Sequence, residues 1–210
     1  MIESKLKRLE GTTTVGVVCS DGVVLATDSR ATAGYLVASK MARKIYRITD
    51  RIAFTTAGGV ADTEKLVEWL RAESNYYSMN VGKPMSVLAC ARLLANIMNA
   101  YSAYYPFIAN ILVGGVDGSG PQLYFLDIDG GMTRETMAAT GSGSPVAYGV
   151  LENEVREGMR VSELLPVAVR AVRTAMKRDV ATGNSVIAAT ITEKDGYREF
   201  RPEEISKLLA

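Results

Sequence analysis

A glycine–threonine junction, Gly11-Thr12, stands near the start of the chain, between a charged leader and an apolar strand. If the bond between Gly11 and Thr12 is cut, Thr12 carries a nucleophilic hydroxyl and a free α-amine that can serve as its base. A loop that simply leads into a strand would contain the same two residues. The junction alone is therefore compatible with a self-contained nucleophile and with an ordinary loop.

The chain contains no histidine. This excludes Ser-His-Asp and Cys-His nucleophile pairs, HExxH zinc sites and any imidazole general base. If the chain is a hydrolase, its base must be a lysine, a carboxylate or an α-amino group. The α-amine of a cut threonine would meet that requirement.

Further positions could belong to such a site. Asp28 and Arg30 lie two apart at the end of a strand, so they share one face while the strand persists. Lys44 directly precedes apolar strand residues. Gly58-Gly59 separates a strand from a helix and could offer free N–H groups to a developing oxyanion. A solvated strand end, an exposed lysine and a plain turn explain the same residues equally well.

Composition limits the class of protein. With 210 residues, 48% of them hydrophobic, the chain can bury a sizeable core as one domain. A net charge of +1 gives no field that would attract nucleic acid or an anionic membrane. No apolar run approaches the ~20 residues of a membrane span, and the leader has no secretory apolar core. Cys19 and Cys90 lie in apolar segments, which favours reduced core thiols and a cytoplasmic protein.

The order of predicted elements indicates a layered α+β fold. A hairpin over residues 12–30 turns at Asp21-Gly22, where both turn residues are expected to have positive φ. Later elements are a strand at 51–56, helices at 62–77 and from Pro84, strands at 107–116, 122–127 and 132–140, helices at 145–156 and 162–180, and a closing hairpin at 185–200. Paired helices between groups of strands favour antiparallel sheets in α-β-β-α layers within one domain. The Gly-Ser turn at 141–144 lacks the lysine of a phosphate-binding loop.

Six segments together resemble proteasome β subunits, and most of all the archaeal form. They are Gly11-Thr12-Thr13-Thr14-Val15-Gly16, Asp28-x-Arg30-Ala31-Thr32-x-Gly34, Lys44-Ile45, Ala57-Gly58-Gly59-x-Ala61-Asp62, Gly141-Ser142-Gly143-Ser144 and Arg178-Asp179-x-x-Thr182-Gly183. The resemblance implies the N-terminal-nucleophile hydrolase fold, a four-layer α-β-β-α sandwich with antiparallel sheets, and a threonine protease. A bacterial two-ring relative is the nearest alternative, and Arg30 and the Gly-Ser loop argue against it.

The resemblance also implies a role for each site residue. Thr12 matches the nucleophile, Asp28 its acidic partner, Lys44 the active-site lysine and the Gly58 N–H the oxyanion donor. Ser142, Asp179 and Thr182 match residues that hold the terminal amine, although the family often has serine in place of Thr182. The residues expected to bind substrate are Ala31, Thr32, Ala42, Tyr46, Thr56, Val60 and Glu64. Because most of these are apolar or neutral, cleavage after hydrophobic residues is expected. No metal and no cofactor are expected.

The resemblance implies that residues 1–11 are a propeptide removed by self-cleavage at Gly11-Thr12, and that residues 12–210 form a single catalytic domain. While Gly11 is attached, Thr12 has no basic amine, so the uncut chain is expected to be inactive. The alternative is a non-catalytic or unprocessed ring subunit that serves assembly only.

Expected partners follow from the same resemblance. They are other β subunits in a seven-membered ring, α subunits in flanking rings, an unfolding ATPase that acts indirectly, and unfolded protein substrates. No nucleic acid or membrane partner is expected.

Overall fold

The computed structural model describes residues 11–208. Most of the predicted propeptide, residues 1–10, lies outside this range. The described residues form twelve strands: β1 (Thr14–Cys19), β2 (Gly22–Asp28), β3 (Ala31–Ala33), β4 (Leu36–Ser39), β5 (Ile45–Arg47), β6 (Ile52–Gly58), β7 (Ala109–Asp117), β8 (Gly120–Leu126), β9 (Met132–Glu135), β10 (Met137–Thr140), β11 (Val186–Thr192) and β12 (Gly196–Glu199).

Five helices complete the described residues. They are α1 (Val60–Val81), α2 (Val87–Ser102), α3 (Ser144–Glu154), α4 (Val161–Met176) and α5 (Pro202–Leu208). Helix α1 ends at Gly82, whose φ of 73° suits a left-handed cap and whose N–H donates to the Ser78 carbonyl. Helix α2 begins after Ser86, whose side chain accepts the Ala89 N–H at 3.1 Å. Local capping therefore fixes where the long helix pair turns.

Two antiparallel five-stranded sheets form the centre of the fold. The first has the order β10-β1-β2-β11-β12, and the second has the order β5-β6-β7-β8-β9. Strands β3 and β4 form a separate two-stranded hairpin. Every residue of β2 is buried because this strand lies between β1 and β11 and is covered on both faces. Its last residue, Asp28, therefore enters the site from the middle of a sheet.

Side-chain alternation along β2 connects the two cores on either side of its sheet. Val24 and Ala26 pack with the buried faces of α3 and α4, whereas Val23 and Leu25 pack between the two sheets. The buried faces of α1 and α2 cover the second sheet around Phe54. The result is the four-layer α-β-β-α sandwich that the order of elements predicts.

Three local predictions were wrong. The predicted strand at 132–140 is two strands, β9 and β10, which belong to different sheets. The first hairpin turns at Ser20 and Asp21, because Gly22 already pairs with Cys19 in the ladder. Neither turn residue has positive φ, and Asp21 instead accepts the Val161 N–H at the start of α4. The hairpin β3–β4 and helix α5 were not predicted.

No described helix combines the length and the apolar character that crossing a membrane requires.

The burial of Cys19 and Cys90 predicts that their thiols are unreactive in the folded protein. Cys19 is 4% exposed and Cys90 is fully buried, and burial raises the pKa of both thiols to about 12. Because the thiolate is the reactive form, neither should react with Ellman's reagent within minutes in the folded protein, and both should react after unfolding in guanidinium chloride. Rapid labelling of either thiol under native conditions would contradict this burial.

Candidate active site

Asp28 ends β2 as a fully buried carboxylate with four hydrogen-bond donors. Its Oδ1 accepts the Thr13 N–H at 3.0 Å and Lys44 Nζ at 2.8 Å. Its Oδ2 accepts the Arg30 N–H at 3.0 Å and the Gly183 N–H at 2.9 Å. Three backbone donors and one ammonium hold the charge on a carboxylate that water does not reach.

Lys44 immediately precedes the edge strand β5 and is only 6% exposed. Its carbonyl accepts the Thr56 N–H, which fixes its backbone beside β6. Nζ lies between Asp28 Oδ1 and the Gly11 carbonyl oxygen, at 3.3 Å from the latter. Burial lowers the pKa of Lys44, and the negative charge of Asp28 acts against that effect. The lysine thus presents N–H donors to the peptide group before Thr12.

Thr12 is 5% exposed and lies just before β1. Its Oγ1 donates to the Gly11 carbonyl oxygen at 2.7 Å. The same oxygen accepts Lys44 Nζ, so two side chains polarise the carbonyl of the Gly11-Thr12 bond. The structure therefore brings the predicted nucleophile, lysine and acid together at the predicted cleavage site.

A second cluster lies on the other side of the Thr12 backbone. Ser142 lies between β10 and α3. Its Oγ is 2.6 Å from Asp179 Oδ2 and 3.4 Å from the Thr12 carbonyl oxygen. Thr182 Oγ1 also donates to Asp179 Oδ2, and the hydroxyls of Thr13 and Thr182 are 2.8 Å apart. The three residues predicted to hold the amine are thus linked to one another and to Thr12.

Gly58 closes β6 where the chain turns into α1. Its φ is 159°, and a Cβ there would lie 2.0 Å from the Ile108 carbonyl oxygen. The Gly59 N–H donates to that same oxygen at 2.8 Å. Only glycine fits at Gly58 because the backbone of β7 approaches so closely. The turn also directs the N-terminal end of α1, beginning at Val60, towards the site.

A cavity of about 520 Å³ opens beside Thr12 and Lys44. The residues that line it are Gly11, Thr12, Ala31, Thr32, Ala33, Gly34, Ala42, Arg43, Lys44, Tyr46, Thr56, Gly58, Gly59, Val60 and Thr63. Its walls come from β3, β6, the start of α1 and the segment before β5. A peptide side chain could enter this space while its backbone carbonyl lies near Thr12.

All the predicted substrate-binding residues except Glu64 line this cavity. Glu64 is exposed on α1, and Thr63, one residue earlier, lines the cavity instead. Thr63 is turned towards β6, where its hydroxyl lies 3.3 Å from Thr56 Oγ1, whereas the Glu64 side chain is turned to solvent. Among the described residues, no group of three or more histidine, cysteine or acidic side chains could hold a metal ion.

Several contributors to the site were missed by reasoning from the sequence. The Gly183 N–H donates to Asp28 Oδ2, and the Thr13 hydroxyl is hydrogen-bonded to that of Thr182. Arg43 and Thr63 line the cavity. Gly183 meets Asp28 across 155 residues of sequence. No local pattern announces such a contact, although the polar run from Thr182 to Ser185 directly after a helix was a usable signal.

The four-layer sandwich and a threonine beside a buried lysine–aspartate pair define an N-terminal-nucleophile hydrolase fold. Residues 9–191 match the family of proteasome subunits. The chain is 48% identical over 199 residues to a proteasome subunit beta of Methanothermobacter thermautotrophicus, covering 95% of this chain and 94% of the relative. It is also 48% identical over 210 residues to one of Ferroglobus placidus, covering 100% and 98%. The chain therefore belongs to the proteasome subunit family, as a β subunit of the archaeal type.

The Asp28–Lys44 ion pair predicts that loss of Asp28 destabilises the protein more than loss of Lys44. Asp28→Ala leaves a buried ammonium and three unpaired N–H groups, so it should lower the free energy of unfolding by about 3–5 kcal/mol. Lys44→Met leaves the Asp28 carboxylate with three N–H donors and should cost about 1–2 kcal/mol. Urea unfolding of the isolated subunit would measure both. An equal loss for the two variants would mean that the backbone donors contribute little.

Proposed function

We propose that this chain is a catalytic β subunit of the proteasome core particle, a threonine endopeptidase that cuts unfolded proteins into peptides. The observation that carries the proposal is the convergence of Thr12 Oγ1 and Lys44 Nζ on the Gly11 carbonyl oxygen, at the edge of a cavity large enough for a side chain. A non-catalytic subunit that serves assembly only would have no need of a buried Lys44–Asp28 ion pair, which is costly to remove from water.

Self-cleavage is the first step of the proposal. Thr12 Oγ1 attacks the Gly11 carbonyl carbon, the hydroxyl proton passes to the departing Thr12 nitrogen, and an ester to Gly11 replaces the amide. Water then hydrolyses the ester, leaving the leader with a carboxyl end and Thr12 with a free amine. Lys44 stabilises the oxyanion that develops on the carbonyl oxygen to which it already donates.

Peptide hydrolysis repeats the same chemistry on substrate. The free α-amine, with an ordinary pKa of about 7.7–8.0, takes the Thr12 hydroxyl proton directly or through one water. Oγ1 attacks the substrate carbonyl, the amine returns the proton to the leaving nitrogen, and water hydrolyses the acyl-enzyme. The ammonium of Lys44 favours the deprotonated forms of groups near it. The rigid χ1 of threonine keeps Oγ1 aimed.

The surrounding residues receive matching roles. Asp179 accepts hydrogen bonds from Ser142 and Thr182, and this cluster would hydrogen-bond to the free Thr12 amine once the leader has gone. The Gly58 N–H would hold the oxyanion, and the backbone at Thr32 and Gly58 would hold substrate as an added strand. Residues 1–11 are the propeptide and residues 12–210 the single catalytic domain.

The similarity to proteasome β subunits supports a proposal for the assembly. We assign the chain to a seven-membered β ring stacked on α subunits and fed with unfolded proteins by an ATPase, in the cytoplasm. Co-expression with an α subunit provides the assembled material that the following tests need.

A substitution at Lys44 tests the proposed chemistry of self-cleavage and peptide hydrolysis. Lys44→Ala should abolish both self-cleavage and hydrolysis of a fluorogenic peptide, because it removes the donor to the Gly11 carbonyl and the partner of Asp28. Intact mass and peptide turnover would be measured on assembled particles. Lys194→Ala, in the exposed turn between β11 and β12, is the matched control and should match the original protein. Near-normal turnover by the Lys44 variant would refute the proposed mechanism.

A substitution at Gly11 tests self-cleavage separately from peptide hydrolysis. In Gly11→Val the side chain would have to occupy space 2.1 Å from Thr32 Oγ1 at a φ of 127°, so the cleavage-competent geometry is lost. Uncut, inactive particles are expected by mass spectrometry and peptide turnover. A chain released from a removable fusion partner to begin at Thr12 should be active, whereas the same chain with Lys44→Ala should stay inactive. Full activity with an intact leader would overturn self-activation.

A further inference from the structure

A second cavity, of about 890 Å³, opens at the end of β6 that lies away from the candidate active site. Its walls come from the turn between β5 and β6, the end of α1 with its connection to α2, and the turn between β7 and β8. Arg51, just before β6, lines this cavity, whereas Gly58, at the end of β6, lines the first, a span of about 20 Å along the strand. None of the described residues assigned to catalysis or to substrate binding lines the second cavity.

Lys83 brings an unpaired positive charge to the second cavity. Three cations and two carboxylates line it. Arg47 is paired with Asp50, and Arg51 lies 3.9 Å from Glu193. Lys83, in the connection between α1 and α2, has no ion-pair partner among residues 11–208. The charge balance therefore favours a ligand with one negative charge.

The acceptors around the second cavity are already engaged. Asp117 accepts the N–H groups of Val87 and Ser119 and the side-chain amide of Gln122. The carbonyl oxygens of four lining residues also accept hydrogen bonds from within the protein, namely those of Arg47, Asp50, Arg51 and Ser78. A ligand donor would thus compete with bonds that the fold itself makes.

Two hydroxyls at the second cavity keep a proton to donate. Thr49 Oγ1 accepts the Arg51 N–H and Ser86 Oγ accepts the Ala89 N–H, each at 3.1 Å. Neither hydroxyl donates to another group in the part of the chain that the structure describes, so each can donate to a ligand. The other polar side chains can donate as well as accept, and they are Asn75, Tyr77, Ser78 and Ser119. The site therefore suits a ligand rich in acceptors.

Apolar side chains form the floor of the second cavity, defined as Ile48, Met85 and Val116. They are 8%, 8% and 4% exposed, so they belong to the core and still line the cavity. Small-molecule sites combine such an apolar surface with a few placed polar groups in a volume of about 300–1,000 Å³. The matching ligand is a carboxylate joined to an apolar body.

A buried hydroxyl next to the second cavity lacks a partner. Ser74 is 1% exposed, and its Oγ makes no hydrogen bond to any described residue. Ser74 directly precedes Asn75 and lies one turn before Ser78 on α1, and both of these residues line the cavity. Buried polar atoms are nearly always hydrogen-bonded, to water or a ligand where the protein offers no partner. An occupant at this end of α1 would be placed to supply one.

We propose that the second cavity binds a short peptide by its carboxyl end, with the terminal carboxylate at Lys83 and an apolar last side chain on the floor. A peptide suits the site better than a fatty acid because its backbone carbonyls are further acceptors for the Thr49 and Ser86 hydroxyls. Peptides that end in an apolar residue are also what the proposed peptidase would release. That source rests on the proposed function, whereas the binding itself requires no cleavage.

The test uses assembled particles that carry Thr12→Ala, which cannot cut the probe. The probe is acetyl-glycyl-glycyl-photoleucine with a free carboxylate, whose diazirine labels its contacts on irradiation. Mass spectrometry of the digested subunit should find saturable labelling within residues 47–51, 75–86 or 116–119. The same peptide as its amide should label about fivefold less, because it lacks the charge that pairs with Lys83.

Variants of Lys83 test the charge, and competing peptides test the floor. Lys83→Gln should reduce labelling about fivefold, whereas Lys83→Arg should keep it. Lys207→Gln, at an exposed position on α5, is the matched control and should change nothing. Acetyl-glycyl-glycyl-leucine should displace the probe at about tenfold lower concentration than acetyl-triglycine, because the leucine side chain is buried on the floor.

The outcomes separate this site from the active site. Labelling confined to the cavity beside Thr12, or unaffected by Lys83→Gln, would overturn the proposal. Stronger labelling of the second cavity by a diazirine-bearing octanoate than by the peptide would overturn the choice of a peptide. None of these results bears on the peptidase proposal, whose failure would appear instead as processed particles that cannot cut a fluorogenic peptide.

Discussion

The structure depends on keeping one ion pair, Asp28–Lys44, out of water. Moving a carboxylate and an ammonium into a protein interior costs several kcal/mol per ion unless both are fully hydrogen-bonded. Asp28 meets that condition with backbone N–H groups at Thr13, Arg30 and Gly183, which come from three separate parts of the chain. The pair can form only when β1, β2 and the segment after α4 are all in place, so the completed fold is the condition for the site.

The same pair connects the two sheets. Asp28 ends a central strand of the first sheet, and Lys44 precedes the edge strand of the second. Because the lysine donates to Asp28 and to Gly11 together, the position of its Nζ is set by both. If the Gly11 carbonyl moves away, Lys44 loses one of its two hydrogen-bond acceptors, whereas Asp28 keeps all of its donors. Under the proposed mechanism, release of the leader removes the Gly11 carbonyl from Lys44 and water takes its place, while the hydrogen bonds to Asp28 are kept.

The sequence predicted the parts of the site that lie in short, distinctive segments, and it missed the parts that depend on distant packing. Asp28, Lys44 and Gly58 were assigned because each lies in a short motif that resembles proteasome β subunits, whereas taken alone each had an ordinary structural explanation. The pairing of helices between groups of strands was enough to predict the four layers. The division of residues 132–140 between two sheets was not visible, because only Thr136 separates β9 from β10 and the strands differ in their pairing partners. Glu64 was predicted to bind substrate and Thr63 was not, because a motif match does not tell which side of a helix turns inward.

Threonine shows most clearly what a sequence leaves open. Its hydroxyl can donate or accept, so Thr56 appears in the sequence only as a neutral residue of the predicted pocket, and Thr63 was not predicted to belong to it. In the structure, the Gly59 carbonyl takes the proton of Thr63, and that single choice makes Thr63 the acceptor for Thr56. A backbone carbonyl just before α1 therefore sets the direction of a hydrogen bond beside the cavity, and no sequence pattern records that choice.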